Sequence, residues 1–418
     1  MRRLAIALCG DRKFFFRSNL SLCGQVLGSG YVEQRDLSSR RSMSLPVVIV
    51  GGGISGLTLA HAMQSAGVEF VLIEGRDRLG GRILSAGIDG LPSEDGFDLG
   101  PSWVWPEMQP VLCSLAESFG IRLFPQNDDG DIVFERSASV APQRFPALQR
   151  EPRSMRIMGG TASIIAALKS RITPEHIRLG TGVTGLARMG GLVSATIERP
   201  DGTAETMEAA IVVLAMPPRL IDRSIKFEPP VDPALARRWR STPTWMAPHA
   251  KFFAIYDEAF WQRDGLSGAA QSMIGPLGEI HDATTSSGKA ALFGFIGVNA
   301  TERRRIGPEP IIQAAVQQLV RLFGDKARTP VATLYKDWAA DALTATEEDL
   351  IATGHPLPDT RPWVSGDWAP VLMLAGSETS MTNPGYLEGG AEAALRVAAD
   401  IKRMWQRFSK PSASASHL

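Results

Sequence analysis

Short apolar runs separated by glycine-rich turns dominate the pattern of hydrophobic and polar positions. LPVVIV at 45–50 precedes a cluster of glycines. LTLAHAMQSAG at 57–67 then spaces its apolar residues as a helix does, and FVLIE follows at 70–74. Short β-branched runs are typical of buried parallel strands, and helices commonly end on glycine. The pattern predicts a strand, a glycine turn, a helix and a second strand.

The later part of the chain returns to the same kind of element. The segment 191–216 predicts a small antiparallel meander that turns at Pro200-Asp201-Gly202. VLMLAG at 371–376 predicts another buried strand, and 387–405 a long helix. We therefore expect an α/β fold, with a Rossmann-type nucleotide-binding domain (a parallel sheet plus the meander) interleaved with a smaller α+β domain.

These elements also predict how the chain divides. The nucleotide-binding domain combines 44–104, 156–228 and 366–406, the second domain combines 105–155 and 229–365, and disordered ends cover 1–43 and 407–418. The segments of the second domain are rich in Trp, Phe and Pro.

The glycine turn carries the first chemical signal. GGGISG contains Gly51-x-Gly53-x-x-Gly56, in which the glycines allow a tight turn, a close approach of a pyrophosphate and close packing of helix on strand. Glu74 ends the next strand, where a carboxylate can accept hydrogen bonds from both ribose hydroxyls. The motif alone is weak evidence, but the strand before it, the helix after it and the acid disfavour an accidental match.

The number of glycine motifs of this kind indicates which dinucleotide the chain binds. GFIG at 294–297 lacks the required spacing, and we find no second candidate. Reductases that use NAD(P)H usually carry a second such motif. One site instead suits a flavin oxidase, which takes a hydride from its substrate and passes electrons to oxygen.

Longer motifs resemble the flavin-containing amine oxidases, a family that includes monoamine, polyamine and L-amino acid oxidases. The resemblance rests on sequences distributed between about 47 and 395: EGRDRLGGR at 74–82, FDLGPSWVW at 97–105, MGGTASIIAAL at 158–168, LGTGVTGL at 179–186, VVLAMPPRL at 212–220 and AGSETS with NPGYLEGGAEAA within 375–394.

This resemblance implies a set of residues that contact FAD: Gly51, Gly53, Ile54, Ser55, Gly56, Glu74, Arg76, Gly81, Arg82, Gly100, Pro101, Ser102, Trp103, Val183, Trp338, Gly376, Glu378, Tyr386 and Leu387. By the resemblance, Val183 meets the adenine through its backbone and Glu378 bonds to the ribityl chain. The helix that begins near Leu387 directs its positive end at the flavin. Trp338 has a place in the core as an equal alternative.

Lys251 is the first catalytic candidate. It lies in HAKFFAIYDEAFW at 249–261, which resembles the family strand whose lysine holds a water against the flavin and assists the reaction with oxygen. A cation there would stabilise the negative charge that forms on oxygen. Because Ala250 and Phe252 are apolar, the alternation also allows a surface lysine on an edge strand.

Tyr386 is the second candidate, because it matches one wall of the aromatic cage around the substrate amine. The other wall would come from 352–363, which has no aromatic residue before Trp363 and no cysteine to attach the flavin. The cage is therefore either incomplete or closed by His355, and FAD is expected to be noncovalent. Trp103 and Trp105 either line the approach or belong to the core.

Composition excludes several other classes of function. Lys and Arg together number 44, as do Asp and Glu, and this balance disfavours a nucleic-acid partner. Three cysteines (Cys9, Cys23 and Cys113) support neither a disulfide framework nor a metal site, which favours a reducing, cytoplasmic location. No run of about 18 apolar residues is present to span a membrane.

The sequences at the two ends of the chain allow alternative cellular locations. Residues 1–42 are rich in Arg and Ser and poor in acids, which is compatible with an organelle transit peptide, an unfolded extension or an upstream start before Met43. The final Ser-His-Leu is a loose variant of a peroxisomal address.

The sequence as a whole predicts an FAD-dependent amine oxidase. Its partners are a small-molecule amine and oxygen. A hydride leaves the carbon next to the amine nitrogen, the imine hydrolyses, and oxygen reoxidises FAD to give hydrogen peroxide. The alternatives are a flavin desaturase or dehydrogenase acting on a carbon–carbon bond, and a protein that binds FAD without turnover.

Overall fold

A computed structural model of the chain describes residues 45–146, 152–351 and 354–409. The predicted extension at 1–43 and the part of the predicted tail from 410 onward lie outside these residues. The last helix, Leu387–Ser409, continues past the predicted end at 405 and into the segment predicted to be disordered.

A parallel sheet of five strands forms the centre of the nucleotide-binding half. Its strands, in spatial order, are Leu372–Leu374, Ile211–Leu214, Val47–Val50, Phe70–Ile73 and Ile177–Arg178. The central strand is buried along its whole length. It aligns Val47 with Ile211 on one side and with Phe70 on the other. Continuous β-branched runs of this kind suit a strand covered on both faces.

A second sheet lies beside the first, in the order Ala204–Ala209, Leu192–Glu198, Gly182–Met189 and Lys226–Glu228. The predicted turn near Pro200 joins the first two of these strands. The end of the predicted meander differs from the structure, because Ile211–Leu214 pairs with the parallel sheet. All four of its residues are buried, which fits the interior of that sheet better than a half-exposed meander.

A seven-stranded sheet forms the other half of the molecule. Its strands, in spatial order, are Ala332–Asp337, Ala250–Tyr256, Ala290–Ile296, Leu277–Asp282, Leu266–Ser272, Asp131–Glu135 and Gln143–Phe145. The helix Pro308–Phe323 covers one face through Ile311, Leu319 and Phe323. The strand that carries Lys251 has neighbours on both sides, so the alternative of an edge strand is wrong.

The remaining elements connect the sheets. The other α-helices of the described residues are Ile54–Ser65, Pro110–Ser118, Ala162–Lys169, Pro218–Ser224, Pro233–Ser241, Phe260–Arg263 and Ala300–Ile306. Two small ribbons pair Ser85–Ala86 with Phe97–Asp98 and Leu123–Pro125 with Met155–Ile157. Within the described ranges, no helix has the length and apolar composition needed to cross a membrane.

The α/β class, with a parallel sheet and an antiparallel meander, is confirmed. The strands of the parallel sheet come from the segments 44–104, 156–228 and 366–406, and those of the seven-stranded sheet from 105–155 and 229–365. The boundaries between these segments stay predictions.

Candidate active site

A cavity of about 600 Å³ lies between the parallel sheet and the seven-stranded sheet. Val50 and Ile73, at the carboxyl ends of two parallel strands, line one end, and Lys251 and Phe295 of the larger sheet line the other. Ligands of open α/β sheets bind beyond the carboxyl ends of the strands. The volume lies in the range of small-molecule and cofactor sites.

The glycine turn shapes one wall of this cavity. Gly51 has φ of +110°, and a Cβ there would lie 2.6 Å from the carbonyl oxygen of Ala215, so only glycine fits. Gly53 lines the cavity. A Cβ added at Gly53 would lie 3.8 Å from its nearest neighbour, the carbonyl oxygen of Gly80. A side chain at Gly53 would therefore occupy cavity space.

The helix that follows the turn begins at Ile54, three residues before the predicted start at 57. Ile54 and Ser55, in its first turn, line the cavity. Among the described residues, no side chain caps this helix, and its first turn holds no acid. Its unpaired N–H groups and helix dipole therefore favour a negatively charged group, such as a phosphate, at this point.

Glu74 lies at the same end of the cavity with 4% of its surface exposed. Its Oε2 accepts a hydrogen bond from the Gly52 N–H at 2.6 Å, and its Oε1 accepts one from the Arg76 N–H at 2.8 Å. The Arg76 guanidinium donates to Asp341 and Thr344, both at 2.9 Å. This contact brings a loop from the second half of the chain against this end of the cavity.

Arg82, in the lining of the cavity, forms an ion pair with Glu378, which lies behind the lining. The Arg82 Nη1 lies 2.8 Å from the Glu378 Oε1 and donates to the carbonyl oxygen of Trp245 at 2.9 Å. Its Nη2 donates to the Ser377 hydroxyl at 3.0 Å. Because Glu378 is almost fully buried, this pairing fixes the direction of the guanidinium.

Lys251 is buried, with 1% of its surface exposed, and lines the cavity. Its Nζ donates to the carbonyl oxygens of Asp98 at 3.2 Å and Gly100 at 2.5 Å, and to the Ser102 hydroxyl at 2.8 Å. Burial lowers the pKa of Lys251 to about 7, although the nearby Asp98 opposes the shift. The lysine therefore places a titratable amine against the segment that contains Gly100 and Ser102.

Three rings are stacked near the same end of the cavity. The His355 imidazole lies 3.5 Å from the Trp245 ring at 26° and 4.1 Å from the Tyr386 ring at 10°, measured between centroids. Two rings this close cannot share one face of an imidazole, so Trp245 and Tyr386 lie on opposite faces. Burial lowers the pKa of His355, which favours its neutral form.

The family of the chain follows from its match to a family described as "Flavin containing amine oxidoreductase". The sequence model of that family matches residues 54–156 and 129–402, which together make up most of the chain. The chain belongs to this family. It is a flavin amine oxidoreductase, and its cofactor is FAD.

Individual relatives extend over nearly the whole chain. A probable flavin-containing monoamine oxidase A from Dictyostelium discoideum is 25% identical and covers 85% of this chain and 97% of its own length. A putrescine oxidase from Kocuria rosea is 22% identical and covers 88% and 97%.

Solved structures share the fold. A putrescine oxidase bound to putrescine matches with a TM-score of 0.70 at 21% identity, over 85% of this chain and 98% of the other. A cyclohexylamine oxidase from Brevibacterium oxydans matches with a TM-score of 0.69 at 20% identity, over 87% and 100%. The Rossmann-type FAD fold expected from the sequence is confirmed.

The cavity of this amine oxidoreductase fits FAD. The uncapped helix N-terminus and Gly53 leave room and N–H donors for a pyrophosphate, and the Glu74 carboxylate at the same end could accept hydrogen bonds from ribose hydroxyls. Across the cavity, Gly100, Ser102 and Lys251 line the end where the flavin ring would lie.

Most of the predicted site residues share this cavity. Its lining includes Gly51, Gly53, Ile54, Ser55, Glu74, Arg76, Gly81, Arg82, Gly100, Pro101, Ser102, Trp103, Val183, Lys251, Gly376, Tyr386 and Leu387.

Three of the predicted site residues lie behind the residues that line the cavity. Gly56 packs on the turn, where an added Cβ would lie 1.8 Å from the Gly51 carbonyl oxygen. Glu378 acts through its ion pair with Arg82. Trp338 is fully buried and donates from Nε1 to the carbonyl oxygen of Leu99 at 3.0 Å, which fits the alternative of a core residue.

Several lining residues were missed by sequence reasoning. Thr181, Met216, Arg223, Trp245, Met246 and Phe295 all reach the cavity. Met246 adopts φ of +69°, which is uncommon for a residue other than glycine and often marks a functional segment. The only signal for Trp245 was its place in a proline-rich loop six residues before Lys251.

Proposed function

We propose that this protein oxidises an amine at the carbon next to nitrogen, with oxygen as the electron acceptor and hydrogen peroxide as the second product. FAD, when bound, supplies the hydride acceptor and the group that reduces oxygen. The observation that carries the proposal is the position of Lys251, a buried amine in the wall of the same cavity as Tyr386.

The aromatic residues at this end would hold the substrate. Aromatic faces attract an ammonium group and also pack against a neutral amine. A neutral amine gives up a hydride readily, whereas its protonated ammonium form does not. Because burial disfavours the charged form, the site would favour loss of the ammonium proton before the reaction. Tyr386 therefore orients the amine, together with Trp245 and His355, and water hydrolyses the imine after it forms.

Lys251 would serve the oxygen step. Its Nζ lies in a closed environment, where a fixed positive charge stabilises a developing anion more than it would in water. Its three hydrogen-bond acceptors match the three N–H donors of the charged form. The proposed role depends on the charged form.

The proposed cofactor contacts follow from the positions of the residues that line the cavity. The helix that starts at Ile54 would hold the pyrophosphate, Glu74 the ribose and Val183 the adenine. No cysteine appears in the described lining of the cavity, which supports noncovalent binding. The low cysteine content of the sequence supports a reducing, cytoplasmic location, and the zero net charge supports the absence of a nucleic-acid partner.

A peroxide assay tests this proposal. The purified yellow protein is given a panel of primary amines, secondary amines and amino acids. Amine loss, carbonyl product and peroxide are measured together. Equal amounts of all three are expected for at least one amine. Flavin reduction by an amine without peroxide would indicate a dehydrogenase, and no reduction by any amine would contradict amine oxidation.

A further inference from the structure

The substrate end of the cavity is enclosed by rings. Trp103 and Trp105 lie 6.4 Å apart between centroids, Trp103 lies 6.2 Å from Phe295, and Trp105 lies 6.3 Å from Tyr386. The stack of Trp245 and His355 on Tyr386 lines the same cavity. A substrate there would contact mainly apolar and aromatic surface.

Within the described lining of the cavity, negative charge lies only at the opposite end. Among the described residues that line the cavity, Glu74 is the only acid, and its two oxygens already accept the N–H groups of Gly52 and Arg76. Three further buried acids lie near the site, and each already has partners: Glu378 pairs with Arg82. Asp98 accepts bonds from Ser85 and Thr161, and Glu388 accepts the N–H groups at the start of the helix Pro110–Ser118.

A second ammonium group on the substrate would therefore have no carboxylate partner. Attraction to the aromatic faces is worth about 2 kcal/mol, which is less than the several kcal/mol that burying a charge without an opposite charge costs. A diamine or polyamine would have to place its remote ammonium among Trp103, Trp105 and Phe295. The described lining offers it no opposite charge.

A substrate carboxylate would meet the same difficulty. Two cations of the cavity lining reach the rings: Lys251 Nζ lies 5.2 Å from the centroid of the Phe295 ring, and Arg82 donates to the carbonyl oxygen of Trp245. Lys251 donates to three oxygens of the protein, and Arg82 is paired with Glu378. An amino acid would have to break one of these arrangements to bind.

We infer that the substrate is an apolar monoamine, with an alkyl or aryl body and no second charged group. This inference rests on the proposed function, since it assumes that an amine binds beside Tyr386. It distinguishes the chain from an oxidase whose substrate carries charge at both ends.

Two matched pairs of substrates test the inference. Hexylamine and cadaverine have the same number of heavy atoms and differ in a terminal methyl against a terminal ammonium. Phenethylamine and phenylalanine differ by a carboxylate. We expect kcat/KM, and the rate of anaerobic flavin bleaching, to be at least about a hundredfold higher for hexylamine and for phenethylamine than for their partners.

Comparable rates within either pair, or faster turnover of cadaverine or phenylalanine, would overturn the inference and leave the proposed function intact. If none of the four amines bleaches the flavin while another amine does, the charge of that amine decides the inference directly. If no amine does so, the proposed function fails and the inference fails with it.

A pair of variants tests whether the lack of a carboxylate among the rings causes the preference for monoamines. His355→Glu places a carboxylate among the rings, and His355→Gln is the uncharged control of equal length. The ratio of cadaverine to hexylamine turnover should be at least about tenfold higher in His355→Glu than in His355→Gln. Equal ratios, in proteins with equal flavin content, would contradict the inference. If the Glu variant does not load flavin, the wild-type substrate pairs still decide it.

Discussion

Lys251 combines two opposing influences on one amine. Burial in the wall of the cavity disfavours its charge, whereas the carbonyl oxygens of Asp98 and Gly100 and the Ser102 hydroxyl accept its protons. The sequence indicated this lysine through its motif. Its burial depends on the strands that flank it, which no local pattern specifies.

Lys251→Met should separate the two halves of the reaction. Methionine keeps the length and bulk of the side chain but removes the charge, so amine orientation by the rings should persist. Anaerobic bleaching of the flavin by an amine should stay within about threefold of wild type, and reaction of the reduced enzyme with oxygen should slow by about tenfold or more. Equal slowing of both steps would point to a structural role. Lys289→Met, at an exposed lysine, serves as the control.

The oxygen step should also depend on pH. Because burial lowers the pKa of Lys251 to about 7, its charge is present below that pH and is lost as the pH rises through it. The rate of reoxidation should therefore fall by about tenfold as the pH rises through about 7 in the wild type. It should stay flat in Lys251→Met. A sloping profile in the variant would assign the titration to another group.

Glu74→Ala should weaken the binding of FAD. Loss of the carboxylate removes the expected ribose bonds and the support of the Gly52 and Arg76 N–H groups. A loss of about 1–3 kcal/mol raises the dissociation constant of FAD by roughly five- to 150-fold, measured by flavin fluorescence. Glu69→Ala, exposed just before the same strand, should bind FAD normally. Unchanged affinity in Glu74→Ala would refute the adenosine site.

At the scale of elements, the glycine turn was predictable and the ring stack was not. Gly51, Gly53 and Gly56 lie within six residues, so their spacing and the flanking strand and helix define the turn locally. Trp245, His355 and Tyr386 come from separate parts of the chain, and their contact depends on the tertiary fold. The sequence offered His355 only as an alternative and gave no reason to select Trp245.

Gly56→Ala should disrupt this turn. A Cβ at this position would lie 1.8 Å from the Gly51 carbonyl oxygen, a backbone atom that cannot move aside without shifting the turn. We expect a loss of about 1–3 kcal/mol in the free energy of unfolding, together with reduced flavin content. Gly278→Ala is a matched control, because its Cβ would meet nothing within 4 Å. Normal stability and flavin content in Gly56→Ala would contradict the packing described for the turn.

At the scale of the whole molecule, two sheets hold one site through a few long-range contacts. Lys251 in the larger sheet donates to Gly100, Trp338 donates to Leu99, and Arg76 beside the parallel sheet donates to Asp341. The sequence predicted the interleaved arrangement, because motifs of the FAD fold recur at the start, middle and end of the chain. It could not predict these contacts, since each joins segments more than a hundred residues apart.

FAD should be removable from the whole protein. Among the described residues, no cysteine lines the cavity to form a covalent bond with the flavin. Acid precipitation should release all of the yellow colour into the supernatant, where its absorbance can be compared with that of the intact protein. Colour that stays with the pellet would reveal a covalent attachment.

Sequential mixing tests the central claim of amine oxidation by oxygen most directly. The purified protein is first mixed with an amine without oxygen, and then with oxygenated buffer, while flavin absorbance and peroxide are followed. We predict that the amine bleaches the flavin, that oxygen restores the colour, and that one peroxide forms for each flavin reoxidised. Colour that persists with every amine, or bleached flavin that oxygen does not reoxidise, would contradict it.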